Sequence, residues 1–117
     1  MARATWNRLL GLEVVNEINV DGRDMLIGQM PSGQCMIELL AGVGEDSPLA
    51  QRIAANGEGP ASMVAIEVPD IAAEIARYRA VGVELADAAP GALPDSVTST
   101  ISADQSYGLA IQLIQFG

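Results

Sequence analysis

ASMVAIEVPDI, residues 61–71, decides how this chain is read. Val64, Ile66 and Val68 alternate along one face while Met63, Ala65 and Glu67 take the other, which is the period of a β-strand. Pro69 and Asp70 end the alternation. Ile71, Ile75 and Tyr78 then recur at helical spacing through PDIAAEIARYRAVG. Asp70 is placed to cap that helix and Gly82 to close it. The branched face of Val64 suits covering by a helix. Met63, Ala65 and Glu67 are therefore expected to look the other way, into a cavity.

The rest of the chain follows outward from this strand–helix corner. ATWNRLLG reads as a short helix, with Thr5 as its cap and Gly11 as its stop, and DSPLAQRIAANG as a second, with Ser47 as N-cap, Pro48 in the first turn and Gly57 at the end. The strand candidates are LEVVNEINV, DMLIGQMP, CMIELLAG, SMVAIEVP, VELADAA, VTSTISA and LAIQLIQF. Between them lie DGRD, PSGQ, PGALPDS and DQSYG, which carry turn chemistry. Long strands with few helices indicate an α+β domain with a largely antiparallel sheet.

The chain also repeats itself. RLLGLEV from Arg8 returns as RAVGVEL from Arg79, and MIELL from Met36 returns as AIQLI from Ala110, at offsets of 71 and 74 residues. A duplicated unit fixes an architecture. One domain over 1–117 is expected, built from half-modules at roughly 1–58 and 61–117. Shifting Met63 back by the first offset lands about eight residues before Met1, so the first half is expected to lack its opening strand. A missing strand leaves a neighbour unpaired, and homodimerisation is the natural repair.

Composition excludes several function classes. The net charge is −9 and all six basic residues are Arg, so no basic surface for nucleic acid is visible. No apolar run has the length of a membrane span, and MARATWNRLL has no apolar signal core; the expectation is a soluble, cytoplasmic protein. Cys35 is the single cysteine, in phase with Ile37 and Leu39, and reads as a small buried hydrophobe. There is no His, which removes Ser–His and Cys–His nucleophiles and the commonest metal ligand. Any general base must be Asp, Glu, Tyr or the thiol, and any metal must be held by carboxylates, amides, carbonyls or Cys35.

The repeat, the segment IELLAGVGEDSPLAQRIAANGEG followed by MVAIEVPDIAAEIARYRAVGVEL, and the closing LAIQLIQF resemble the vicinal oxygen chelate superfamily, within it the methylmalonyl-CoA epimerases and glyoxalase-like proteins. The resemblance covers residues 8–117 and implies paired βαβββ modules whose sheets form a cup. In that family a metal sits in the cup, held from the first and last strand of each module, commonly by His, Gln or Glu, His and Glu. Carried over, the last strand of the first module puts Glu38 at a ligand place. Ser62-Met63 stands where a His-His pair is usual, with Met63 at the ligand place, and Gln112 replaces the closing Glu. The fourth place falls on the missing strand. A thioether matches Mg, Mn or Co poorly, so no cofactor is expected, with a divalent metal as the minority alternative.

Alternation places Glu38 with Met36 and Leu40, Gln112 with Ala110 and Ile114, and Met63 with Ala65 and Glu67. The expected cavity lining is Met36, Glu38, Met63, Ala65, Ala110 and Gln112, with Glu38 as the possible base and no metal residues; Glu67 is expected at the rim. Met25, Met30, Met36 and Met63 read as gap-fillers. Arg77 and Arg79 read as exposed helix charges, not as a phosphate site, and GEGPAS opens no helix to cradle a phosphate. Three readings follow: a cup without metal that binds a small hydrophobic acid or acyl thioester; an epimerase-like isomerase or glyoxalase-type lyase; and a structural dimerisation subunit. In the isomerase reading without metal, enolate charge falls on preorganised donors such as the Gln112 amide.

Overall fold

The computed structural model describes residues 2–59 and 63–117. The chain divides into two compact units after Gly59, each with its own sheet. The fold is α+β. The second unit is a complete βαβββ module, and the first has, among the described residues, no opening strand.

The first unit contains α1 (Ala2–Leu10), β1 (Asn16–Val20), β2 (Met25–Ser32), β3 (Cys35–Gly42) and α2 (Pro48–Asn56). Its strands form an antiparallel meander in the order β1-β2-β3. Ser32 pairs with Cys35, so Gly33 and Gln34 form a two-residue hairpin loop, and Gly33 at φ 61° supplies the first-position geometry that such a turn demands. Along β2 the buried residues fall on both faces: Ile27 on one and Met30, fully buried, on the other. α1 has no buried residue, although Trp6 is half-buried. α2 is better anchored. The wholly buried Ser47 hydroxyl accepts the Ala50 N–H at 3.2 Å, Pro48 fills the first turn, and the Gly57 N–H closes on the Ile53 carbonyl. Gly42 of β3 lies so close to α2 that a Cβ there would overlap Ala50.

The second unit contains β4 (Met63–Glu67), α3 (Ile71–Ala80), β5 (Ala89–Pro90), β6 (Ser96–Ile101), a 3₁₀ turn (Ala103–Gln105) and β7 (Ala110–Phe116). The sheet order is β4-β7-β6-β5, with β4 parallel to β7 and the other pairs antiparallel. α3 supplies the crossover that parallel pairing requires. It buries Ile71 and Ile75 with Val68 and Leu113, and Tyr78, Leu85 and Val97 pack around them. Each such side chain contributes roughly 1.5–3 kcal/mol of transfer free energy. Two side chains hold the start of α3: Asp70 accepts the Ala73 N–H at 3.0 Å, and Gln115, reaching from β7, accepts the Ile71 N–H at 2.8 Å.

Several expectations from sequence need correction. Thr5 lies inside α1, which begins at Ala2, and does not cap it. LEVVNEINV is strand only from Asn16. VELADAA contributes only Ala89 to a two-residue strand. Its backbone finds side chains instead of a neighbouring strand: Gln105 bonds both the N–H and the carbonyl of Glu84, Arg79 donates to the Leu85 carbonyl, and Ser99 donates to that of Ala86. Cys35 is exposed, because it flanks the hairpin loop at the tip of the sheet. Val64 and Ile66, expected beneath a helix, are each 44% exposed; α3 packs over β6 and β7, with Val68, just beyond β4, in its core cluster. Of the four methionines read as fillers, only Met30 is buried, Met25 is half-buried, and Met36 and Met63 are exposed.

Candidate functional site

In the first unit the hairpin register sets the site. With Ser32 opposite Cys35, Gln29 falls opposite Glu38, and β1 brings Asn16 opposite Gln29. Three polar side chains thus form a row across three strands, on the face shared by Met36, Glu38 and Leu40. The Asn16 amide donates to Gln29 Oε1 at 3.1 Å, and Gln29 Nε2 donates to Glu38 Oε2 at 2.8 Å. Accepting from Asn16 fixes which end of the Gln29 amide faces Glu38, so the carboxylate meets a donor. Glu38 is exposed, and its second oxygen remains available as an acceptor. Asn16 and Gln29 were missed in the sequence. The turn PSGQ carries the signal, since a two-residue loop at Gly33-Gln34 pairs position 29 with position 38.

In the second unit the parallel register joins β4 to β7. Met63 pairs with Ala110 and Ala65 with Gln112, so these four expected lining residues share one face. Thr100 of β6 flanks Gln112 on its other side. The opposite face, through Leu113 and Val97, packs on α3. Met63 and Ala65 are exposed, Ala110 and Gln112 half-buried. The surface is apolar and thinly built, with one amide set among small side chains and the Glu67 carboxylate at the end of β4, where it pairs with Ile114. Ser62 lies outside the described residues, as do Pro60 and Ala61 of GEGPAS.

The donors present do not fit a divalent cation. One Oε of Glu38 is engaged by Gln29, Met63 offers soft sulfur, Gln112 one neutral oxygen, and the chain has no imidazole. Among the described residues no three His, Cys, Asp or Glu side chains converge on a point. Arg77 and Arg79 are engaged elsewhere. Arg77 binds Glu74 at 2.8 Å, and that hydrogen bond holds its guanidinium above its ordinary pKa; Arg79 binds Asp87 at 3.0 Å. A shallow depression of about 470 Å³ beside α1 is lined by Arg3, Asn7 and Glu13, and includes none of the six candidate residues. No described helix is long and apolar enough to cross a membrane.

Three solved structures resemble the chain closely in fold. A methylmalonyl-CoA epimerase from Mycobacterium tuberculosis is 25% identical, with a TM-score of 0.78 over 99% of this chain and 79% of that one. A hypothetical protein from Bacillus halodurans C-125 is 23% identical, with a TM-score of 0.82 over 96% and 81%. A variant methylmalonyl-CoA epimerase from Streptomyces coelicolor, in complex with 2-nitronate-propionyl-CoA, is 20% identical, with a TM-score of 0.80 over 99% and 87%. No curated protein matches the chain in sequence. The family description for the glyoxalase/bleomycin resistance protein/dioxygenase superfamily matches residues 1–98, and the chain belongs to that superfamily.

Proposed function

We propose that this chain is a cytoplasmic, homodimeric small-molecule binder whose ligand is a small hydrophobic acid or an acyl thioester, held without a divalent metal. The candidate lining in the second unit is Met63 and Ala65 on β4 and Ala110 and Gln112 on β7. The observation that carries the reading is the β4–β7 register, which sets the Gln112 amide beside Ala65 on a face it shares with Met63, Ala110 and Ile114. Such a surface accepts an acyl chain, and the amide N–H is suited to a carbonyl oxygen. A related epimerase crystallised with 2-nitronate-propionyl-CoA supports the choice of ligand class. The test is thermal denaturation with propionyl-CoA, methylmalonyl-CoA and the free acids. A true ligand at a hundred times its dissociation constant adds about 2.7 kcal/mol of stability. Gln112→Leu abolishes that gain while leaving the unliganded stability nearly unchanged. No shift with any of these compounds overturns the reading.

A second reading, isomerase activity of the epimerase type, draws support from the Asn16–Gln29–Glu38 row. A carboxylate held by a neighbouring amide is oriented to accept a proton from a carbon acid. Incubation with methylmalonyl-CoA in deuterium oxide is its test. Exchange at the α-carbon that Glu38→Gln eliminates supports catalysis, and absence of exchange removes it.

A further inference from the structure

We propose that Asn56 is a site of spontaneous deamidation, which the last turn of α2 holds in check. The chain has four asparagines, and only Asn56 is followed by glycine. Asn7, Asn16 and Asn19 precede Arg8, Glu17 and Val20, whose side chains crowd the main-chain nitrogen that would have to react. Gly57 has no Cβ, and no described residue beyond its chain neighbours comes within 4 Å of where one would stand. Asn56 and Gly57 are both exposed, so the water that the reaction consumes is at hand.

The chemistry is internal to the chain. The Gly57 main-chain nitrogen gives up its proton and forms a bond to Asn56 Cγ. The bond from Cγ to the side-chain nitrogen breaks, and that nitrogen leaves as ammonia with the proton. Water then opens the resulting cyclic imide at either carbonyl. One opening leaves aspartate; the other leaves isoaspartate, in which the main chain runs through the β-carbon. No electrons are exchanged, and water is the only co-reactant. The fold supplies the brake. Asn56 is the last residue of α2, and the Gly57 N–H donates to the Ile53 carbonyl at 2.7 Å. A nitrogen held in that bond is not free to attack. It is released when the last turn frays, and helix ends open locally at low free energy.

Either product weakens the turn that guarded it. The net charge moves one unit below −9, and the new carboxylate lies close in sequence to Glu58, at the end of α2 where the helix dipole disfavours negative charge. Isoaspartate also lengthens the main chain ahead of Gly57, so the N–H that closed on Ile53 no longer matches its turn. The start and middle of α2 are fixed independently, by the Ser47 hydroxyl and by the close approach of Ala50 to Gly42, so the loss falls on the last turn. The chain thereby carries a one-way record of how long that turn has been open. Asp21-Gly22, in the turn after β1, has the sequence to close the same ring, but it would lose and regain water and leave the mass unchanged.

The test is incubation of the whole chain in mildly alkaline buffer, followed by peptide mapping with mass spectrometry, beside the free hexapeptide AANGEG of residues 54–59. The fragment holding Asn56 should exchange its amide for an acid at a rate about 10- to 1,000-fold below that of the hexapeptide, the factor being set by opening of the helix end. Deuterium exchange at the Gly57 N–H gates on the same opening, so its protection should be of the same order as that factor. Asn56→Gln, whose ring closure would need one more atom, should lose the reaction and keep the protection. Conversion as fast as in the hexapeptide, conversion slower than that range, or an unprotected Gly57 N–H overturns the proposal. None of these measurements involves a ligand, so this site and the binding reading fail separately.

Discussion

The two units share a repeat, yet they hold their helices differently. In the second, the chain passes from β4 through Val68 directly into α3, which starts on Asp70 and Gln115 and buries Ile71 and Ile75. In the first, α1 ends on Gly11 at φ 67° much as α3 ends near Gly82 at φ 89°, but α1 buries nothing. In the second unit the opening strand leads straight into the N-terminus of its helix, and that helix buries Ile71 and Ile75.

The sharpest way to break this comparison is to remove buried side chains. Leu113→Ala, at a site only 1% exposed, should cost about 2–5 kcal/mol in urea unfolding, and Met30→Ala a similar amount in the first unit. Comparable losses would show that the units are equally packed around their sheets and differ only at their helices. Next is Gly42→Ala, which forces a methyl into Ala50 and should cost about 1–3 kcal/mol. The cap follows: Asp70→Ala should cost about 1 kcal/mol, and Asp70→Asn should restore most of it. The smallest effect is expected on α1. Leu10 is 56% exposed, and Leu10→Ala should stay within about 0.5 kcal/mol. A loss as large as that of Leu113→Ala would contradict the picture of a loosely held helix.

Much of this was legible in the chain. The corner at Pro69-Asp70 is written in the change from period two to period 3.6, and the glycines after α1 and α3 are visible as partners in the repeat. Pairing was less legible than periodicity. Alternation put Glu38 on its face, but its hydrogen-bonding partner depends on where the hairpin turns, and that required Gly33-Gln34 to be taken as the whole loop. VELADAA has strand composition, yet Gln105, Ser99 and Arg79 satisfy its backbone from outside the segment, which no local pattern reveals. The exposure of Val64 and Ile66 is likewise a matter of where α3 lies, over β6 and β7, and not of how β4 is spelled.

The half-buried Trp6 on α1 is the one tryptophan in the chain, and both tyrosines, Tyr78 and Tyr107, belong to the second unit. Each half therefore carries its own optical label. Indole emission follows α1, while the ring of Tyr78, with the Arg77 guanidinium 4.4 Å from its centre, follows α3. On gradual heating the tryptophan spectrum should shift towards that of free indole in water before the tyrosine signal moves, so fluorescence alone, with no mutation, can time the loosening of one half against the other.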